Sequence, residues 1–268
     1  MQSPMYLKWI IEETGTVFED DIPLTCYTID YSQDHEILED WALHIRKHYI
    51  GDEDLAESMM VLDITAEEYL REFVVPQKND VLGPTSRSND ITEILISDLL
   101  EYIFNYSVPR CKQLNRSGKS QSEHGTDVIA YKYRNTDKKP SLQDELIAAE
   151  VKAQLTSISP DVIFSAVKDS YKDEQRYAHT LDYYRKKLKY LGKIAESQEV
   201  ARFQMKTEKD YQFTIIGAAI SSQETITNKI VMGISGDQLE LKSNQKVFYL
   251  HGKKLMDLTH EIYERCIK

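Results

Sequence analysis

The sequence has no hydrophobic run long enough to cross a membrane. Its most continuous apolar stretch, FTIIGAAI, falls far short of the roughly 20 residues that a membrane-spanning helix needs. The first residues, MQSPMYLKWIIEETG, carry Lys8, Glu12 and Glu13, which is unlike the apolar centre of a signal peptide. The sequence therefore predicts a cytoplasmic protein that does not associate with a membrane.

Cysteine is scarce, and the three cysteines are Cys26, Cys111 and Cys266. They are odd in number and far apart, so they predict neither a disulfide framework nor a zinc site. We expect reduced thiols that pack as small hydrophobic side chains. The sequence also contains no internal repeat and no low-complexity tract.

Basic residues are rare in the first third of the chain. Residues 1–86 hold 5 Lys and Arg against 19 Asp and Glu, a balance of −14, and residues 87–268 hold 28 against 25, a balance of +3, which together give the net charge of −11. The charge split predicts an acidic N-terminal region that docks on a partner protein, followed by a mildly basic domain over residues 87–268. The alternative is that the acidic residues only keep the protein soluble.

The pattern of residues 1–86 predicts a small region with both helices and strands. LTCYTIDY alternates like a strand, and EILEDWALHIRKHYI places its apolar residues on one helical face. TAEEYLREF begins with Thr65 and Glu68 at capping-box spacing. VPQKNDVLGPTSRSND is rich in Pro, Gly, Ser and Asn, which predicts a linker.

The rest of the chain alternates between helical and strand patterns. A helix is predicted to begin near Asp90, followed by strands at SVPRCKQL, TDVIAYKY and ELIAAEVKAQL. A long helix from Tyr177 to Ala195 and a strand at YQFTIIGAAIS come next, with further strands at NKIVMGIS and KVFYLHG and a last helix at LMDLTHEIYERCI. This order predicts an α/β fold with a helix, three strands, a helix and a strand at its core.

One of these strands has a charged face. Side chains alternate along a strand, so the strand ELIAAEVKAQL has two different faces. One face carries Glu150, Lys152 and Gln154, and the other carries Ala149, Val151 and Ala153. The small apolar face suits close packing of a helix, whereas the charged face needs compensation because a buried unpaired charge is costly.

A divalent metal would provide that compensation. Asp127 and Glu150 offer hard oxygen ligands, the Val151 carbonyl offers another, and Mg²⁺ prefers such oxygens. We expect Mg²⁺ as the cofactor, with Mn²⁺ as a substitute. Lys152 is then placed to orient a nucleophilic water or to stabilise charge on a phosphate under attack, and Gln154 to bind a backbone phosphate.

These residues resemble the motif of the PD-(D/E)XK nuclease superfamily. TD at the start of one strand and EVK inside the next correspond to its acidic residue and its (D/E)-x-K element, which match Asp127, Glu150 and Lys152. Thr126 replaces the proline of the motif's name. The resemblance implies an αβββαβ nuclease core with a mixed central sheet flanked by helices. The superfamily often adds a glutamate on its first helix, and Glu93 matches that position.

Glu93 also has a simpler interpretation. Asp90 and Glu93 have the spacing of an N-cap and its capping-box partner, which would explain the glutamate without catalysis. The loop CKQLNRSGKS supplies three further basic candidates for contact with DNA phosphates. These are Lys112, Arg116 and Lys119.

The acidic N-terminal third, the helix RSNDITEILISDLLEYIF, and the segments SEHGTDVIAY and AAEVKAQL together resemble the HamA family. HamA proteins are the nuclease subunits of Hachiman antiphage defence. The resemblance implies a Mg²⁺-dependent DNA nuclease that acts with a superfamily-2 helicase similar to HamB. Two alternatives remain open: a stand-alone restriction or repair endonuclease of the same fold, and a nuclease-fold adaptor without catalysis.

Overall fold

The structure of the chain is a computed structural model. It describes residues 2–18, 24–121, 123, 125–156, 161–204, 210–222 and 234–268. Most of the strand predicted at NKIVMGIS lies outside the described residues. Among the described residues, no helix combines the length and the apolarity that crossing a bilayer requires.

One mixed sheet organises the described part of the chain. Its strands are β1 (Ile10–Glu12), β2 (Thr25–Ile29), β3 (Val128–Lys132), β4 (Glu145–Gln154), β5 (Gln212–Ser222) and β6 (Gln245–Gly252). They lie in the order β1-β2-β6-β5-β4-β3. The four central strands run parallel, and β1 and β3 are antiparallel edge strands. The predicted α/β fold with a mixed sheet is confirmed.

Helices cover both faces of the sheet. They are α1 (His35–Tyr49), α2 (Asp52–Leu62), α3 (Ala66–Tyr69), α4 (Gly83–Asp98), α5 (Asp161–Ser170), α6 (Asp173–Tyr190), α7 (Ile194–Ala201), α8 (Gly236–Leu239) and α9 (Leu255–Arg265). Helices α1, α4 and α9 form one core with the sheet face that includes Ala149 and Val151, and α6 packs on the opposite face. The small apolar face of β4 therefore packs against a helix, as predicted.

Helix α4 begins earlier than the sequence predicted. It starts at Gly83, with Pro84 in its first turn and Leu82 as its N-cap, so half of the predicted linker is helical. Proline suits this position because the first N–H groups of a helix have no partner within the helix. Asp90 and Glu93 lie in the helix interior, so the capping interpretation of Glu93 is wrong.

The segment SVPRCKQL, which was predicted to be a strand, does not form one. Only Ser107 pairs with β3, through an isolated bridge to Tyr131. The residues that follow run along α4 instead and are held by three ion pairs. These pairs are Arg110–Asp98, Lys112–Glu93 and Arg116–Asp90. Strand propensity was outweighed here by the pairing of buried charges.

The long predicted helix is divided in two. Helix α6 ends at Tyr190, and Gly192 adopts a φ of +75° before α7 begins. Glycine commonly ends a helix in this way because it has no Cβ to oppose a left-handed backbone.

Residues on both sides of the predicted boundary at residue 86 share the sheet. Strand β2 pairs in parallel with β6, which places Thr25 beside Phe248. Asp34 is the N-cap of helix α1, and its side chain accepts hydrogen bonds from the backbone of Glu36 and Ile37. Helix α1 packs in the same core as α4. The division into an acidic docking region and a nuclease domain therefore concerns function, and it stays a prediction.

Candidate active site

Asp127 lies directly before β3, beside Glu150 of the neighbouring strand β4. Val128 pairs with Ala149 across the antiparallel β3–β4 ladder, so Asp127, one residue earlier, lies opposite Glu150. The backbone N–H of Val151 donates to Asp127 Oδ2 at 2.9 Å. Because the N–H and C=O of one residue point to the same side of a strand, the Val151 carbonyl lies on this edge too. Asp127, Glu150 and the Val151 carbonyl therefore lie together where β3 and β4 pair, and their role as metal ligands stays a prediction.

Lys152 lies on the same face as Glu150. Its ammonium donates to Glu150 Oε1 at 2.6 Å and lies 3.0 Å from an oxygen of Asp169 on α5. Although burial lowers the pKa of Lys152, its hydrogen bonds to Glu150 and Asp169 raise that pKa above its ordinary value. The lysine is therefore a fixed positive charge at neutral pH.

Glu150 has an oxygen with spare capacity. Its side chain is 9% exposed, and burial followed by the charge of Asp127 raises its pKa, while Lys152 opposes the shift. Its second oxygen accepts no hydrogen bond from any other described side chain or backbone group. A carboxylate crowded by another carboxylate, with an open oxygen, is suited to binding a cation.

The sequence did not point to Asp173, a carboxyl group in the first turn of α6. Asp173 is fully buried; its Oδ1 accepts from Thr126 Oγ1 at 2.9 Å, and its Oδ2 has no hydrogen-bond partner among the described residues. Burial, followed by the charge of Glu150, raises the pKa of Asp173 to about 7. Only the three-dimensional structure brings this residue to the site, because it lies 46 positions after Asp127.

Thr126 attaches the start of β3 to α6. Its hydroxyl donates to Asp173, and its backbone N–H donates to Thr180 Oγ1 at 3.0 Å. A proline, which the superfamily's name places here, has neither a hydroxyl nor an N–H to make these bonds. The departure from the motif thus has a structural role, since it fixes the residue directly before Asp127.

Lys112 separates Glu93 from Asp127. Its ammonium lies 3.0 Å from Glu93 Oε1 and 2.9 Å from Asp127 Oδ1, and Gln113 donates to the other oxygen of Glu93 at 2.7 Å. Burial raises the pKa of Glu93, Lys112 opposes this shift, and the charge of Asp127 adds to it. Glu93 is therefore connected to Asp127 by Lys112, whose ammonium contacts both carboxylates.

The other predicted phosphate-binding residues have partners of their own. Arg116 is 6% exposed at its side chain and pairs with Asp90, and Lys119 pairs with Asp80 at 3.0 Å. Gln154 ends β4 on the face of Glu150 and Lys152 and is partly buried. Their contact with DNA stays a prediction.

Two other groups of side chains in the described residues bring three ligand-type atoms within 4.8 Å of one another. They are His44, His48 and Asp98, and Glu13, Cys26 and His251. The first already holds a cation, since Arg110 donates to Asp98 at 2.6 Å. Neither group includes Asp127, Glu150 or Glu93, so the three predicted carboxylates are not gathered that closely.

Comparison with protein families identifies the chain over nearly its whole length. No sequence among curated proteins matches it significantly. A model of the HamA family matches residues 4–266, which includes both the acidic N-terminal region and the strands that carry Asp127, Glu150 and Lys152. The chain therefore belongs to the HamA family.

Proposed function

We propose that this protein is a Mg²⁺-dependent DNA nuclease of Hachiman antiphage defence that hydrolyses phosphodiester bonds and works with a superfamily-2 helicase. Its membership of the HamA family supports the defence role. The observation that carries the nuclease assignment is the hydrogen bond from Val151 N–H to Asp127, which holds this carboxylate opposite Glu150.

The donor set fits a hard divalent cation. Asp127, Glu150 and the Val151 carbonyl would hold Mg²⁺, with water completing its coordination. Asp127 already accepts two hydrogen bonds, but a carboxylate has about four lone-pair sites, so it keeps capacity for a metal. When bound, the ion lowers the pKa of a water molecule and neutralises charge on the phosphate.

The chain's own residues position the reacting groups. Lys152 supplies a permanent positive charge beside Glu150, where it stabilises the charge that develops on the attacked phosphate. Thr126 and Asp173 hold the segment that carries Asp127 against α6. Glu93 acts one step further away, because it orients Lys112, which in turn contacts Asp127.

Cleavage of a labelled DNA duplex in the presence of Mg²⁺ tests the nuclease assignment. We expect Glu150→Gln and Lys152→Ala each to reduce the rate by at least about 100-fold, since each removes a metal ligand or a charge stabiliser. Lys246→Ala is the matched control, because Lys246 is an exposed lysine on β6. Mg²⁺-dependent cleavage that survives both active-site substitutions would refute the assignment.

A further inference from the structure

A cleft of about 760 Å³ opens directly beside Asp127. Its floor includes Gly125 and Asp127, and one wall is the face of α6 that carries Arg176, His179 and Tyr183. A substrate that reaches Asp127 through this cleft contacts the wall formed by α6.

The wall is continuous because of helical spacing. Arg176, His179, Thr180 and Tyr183 recur at intervals of three and four residues, which places them on one side of α6. Thr180 is buried and anchors the helix to Thr126, whereas Arg176 and His179 are exposed to the cleft. The same helix face therefore both fixes the Asp127 segment and presents polar groups to solvent.

Arg176 differs from the other cations near Asp127. Lys112 and Lys152 are each held by two carboxylates. The guanidinium of Arg176 makes no hydrogen bond or ion pair with any other side chain in the described part of the chain. The charge of Arg176 acts electrostatically on Asp173, but Arg176 donates no hydrogen bond to it. Open guanidinium donors in a cleft beside the reacting groups suit a phosphate, because guanidinium binds phosphate through two parallel hydrogen bonds.

We propose that the cleft face of α6 binds the DNA backbone, with Arg176 contacting a phosphate next to the bond that is cut and His179 supporting the same contact. This inference rests on the proposed nuclease function and names the surface by which that site holds its substrate. Arg176 on α6 then supplies positive charge for DNA binding, in addition to any contribution from Lys112, Arg116 and Lys119.

DNA binding by the full chain in the Glu150→Gln background tests the proposal, because this background separates binding from cleavage. We would measure the affinity for a short fluorescent duplex by anisotropy at several salt concentrations. Arg176→Gln is expected to weaken binding roughly tenfold and to reduce the slope of log affinity against log salt by about 1, as loss of one phosphate contact requires. His179→Gln should weaken binding less.

Lys189→Gln is the matched control. Lys189 is an exposed cation on α6 that does not line the cleft, and the substitution removes the same charge. Equal effects of Arg176→Gln and Lys189→Gln, or no binding of DNA by the chain, would overturn the proposal. Failure of the nuclease assignment looks different: the Arg176-specific loss of binding would persist while the unmodified chain fails to cleave DNA with Mg²⁺.

Discussion

At the scale of single residues, Lys112 is the unusual feature of the site. It is almost fully buried, and it bridges two acidic side chains that come from different elements. Burial by itself lowers the pKa of Lys112, but Glu93 and Asp127 raise it well above its ordinary value. The ammonium therefore stays charged, and removal of either partner leaves part of that charge uncompensated.

The first prediction concerns this pairing. Glu93→Gln should lower the free energy of unfolding by about 3 kcal/mol, because the buried ammonium of Lys112 then keeps only one of its two carboxylate partners. It should also slow DNA cleavage, since Lys112 then pairs with Asp127 alone. Adding Lys112→Met should recover much of the lost stability, because it removes the buried ammonium and leaves only the partly exposed Asp127 without this partner. Urea unfolding of the two single variants and the double variant provides the measurement.

A direct ligand role for Glu93 gives the opposite pattern. In that case Glu93→Gln would abolish cleavage with little change in stability, and the effects of the two substitutions on unfolding would simply add. Additive effects would therefore contradict the positioning role and favour the ligand role implied by the resemblance to the PD-(D/E)XK superfamily.

Residue-level features were predictable from the sequence only where they follow strand periodicity. Alternation along β4 correctly placed Glu150 and Lys152 on one face, and the motif placed Asp127 opposite them. The contribution of Asp173 could not be predicted, because the packing of α6 on the sheet, and not any local pattern, brings it to Thr126.

At the scale of elements, the junction between β3 and α6 depends on a glycine. Gly125 has a φ of +118°, and a Cβ at this position would lie 2.7 Å from Thr180 Oγ1. Thr180 is buried and also receives the Thr126 N–H, so it has little freedom to move away. The close approach lets β3 begin against α6 and places Asp127 at the cleft.

The second prediction uses this glycine. Gly125→Ala should lower the free energy of unfolding by about 2–4 kcal/mol, because both the backbone conformation and the contact with Thr180 oppose a Cβ. Gly192→Ala is the control, since Gly192 has a φ of +75° but a Cβ added there would meet no atom within 4 Å, and it should cost only about 1 kcal/mol. Equal losses in thermal unfolding would show that the contact with Thr180 does not matter.

The elements differ in how well their sequences predicted them. Strands β4 and β5 were predictable because their apolar runs are long, and α1 because its apolar stripe is regular. The start of α4 was missed since its first turn contains Gly83 and Pro84, which usually indicate a loop. The segment after Ser107 was missed because its position is set by ion pairs with α4 that no local pattern reveals.

At the scale of the whole molecule, the acidic N-terminal region contributes both to the core and to the surface. Strand β2 and helix α1 are built into the fold, whereas α2 has no buried residue. The end of α2 exposes Met60 and Val61, which are 78% and 70% exposed. An acidic helix with exposed apolar residues at one end fits a docking surface for a basic partner.

The third prediction tests this docking surface. Asp52 pairs with Arg46 and Asp54 accepts from Asn115, so the acidic residues of α2 suited to reversal are Glu53 and Glu57. Glu53→Lys with Glu57→Lys should slow association with the proposed helicase partner and make the rate less sensitive to salt. Surface plasmon resonance at several salt concentrations measures both quantities.

The control for charge reversal is Glu196→Lys with Glu240→Lys, which changes the net charge equally outside residues 1–86. This control should leave the association rate nearly unchanged. If the α2 variant associates as quickly as the unmodified chain, the acidity of the N-terminal region serves solubility and α2 is not the docking surface.

The binding of a divalent metal by Asp127 and Glu150 is the central claim, and anomalous diffraction from Mn²⁺-soaked crystals of the full chain tests it most directly. We predict an anomalous peak between the side-chain oxygens of Asp127 and Glu150, near the Val151 carbonyl at the edge of β4 that faces β3, and loss of that peak in Glu150→Gln. A map without a peak at this position, or with its main peak at Glu13, Cys26 and His251 instead, would contradict this claim.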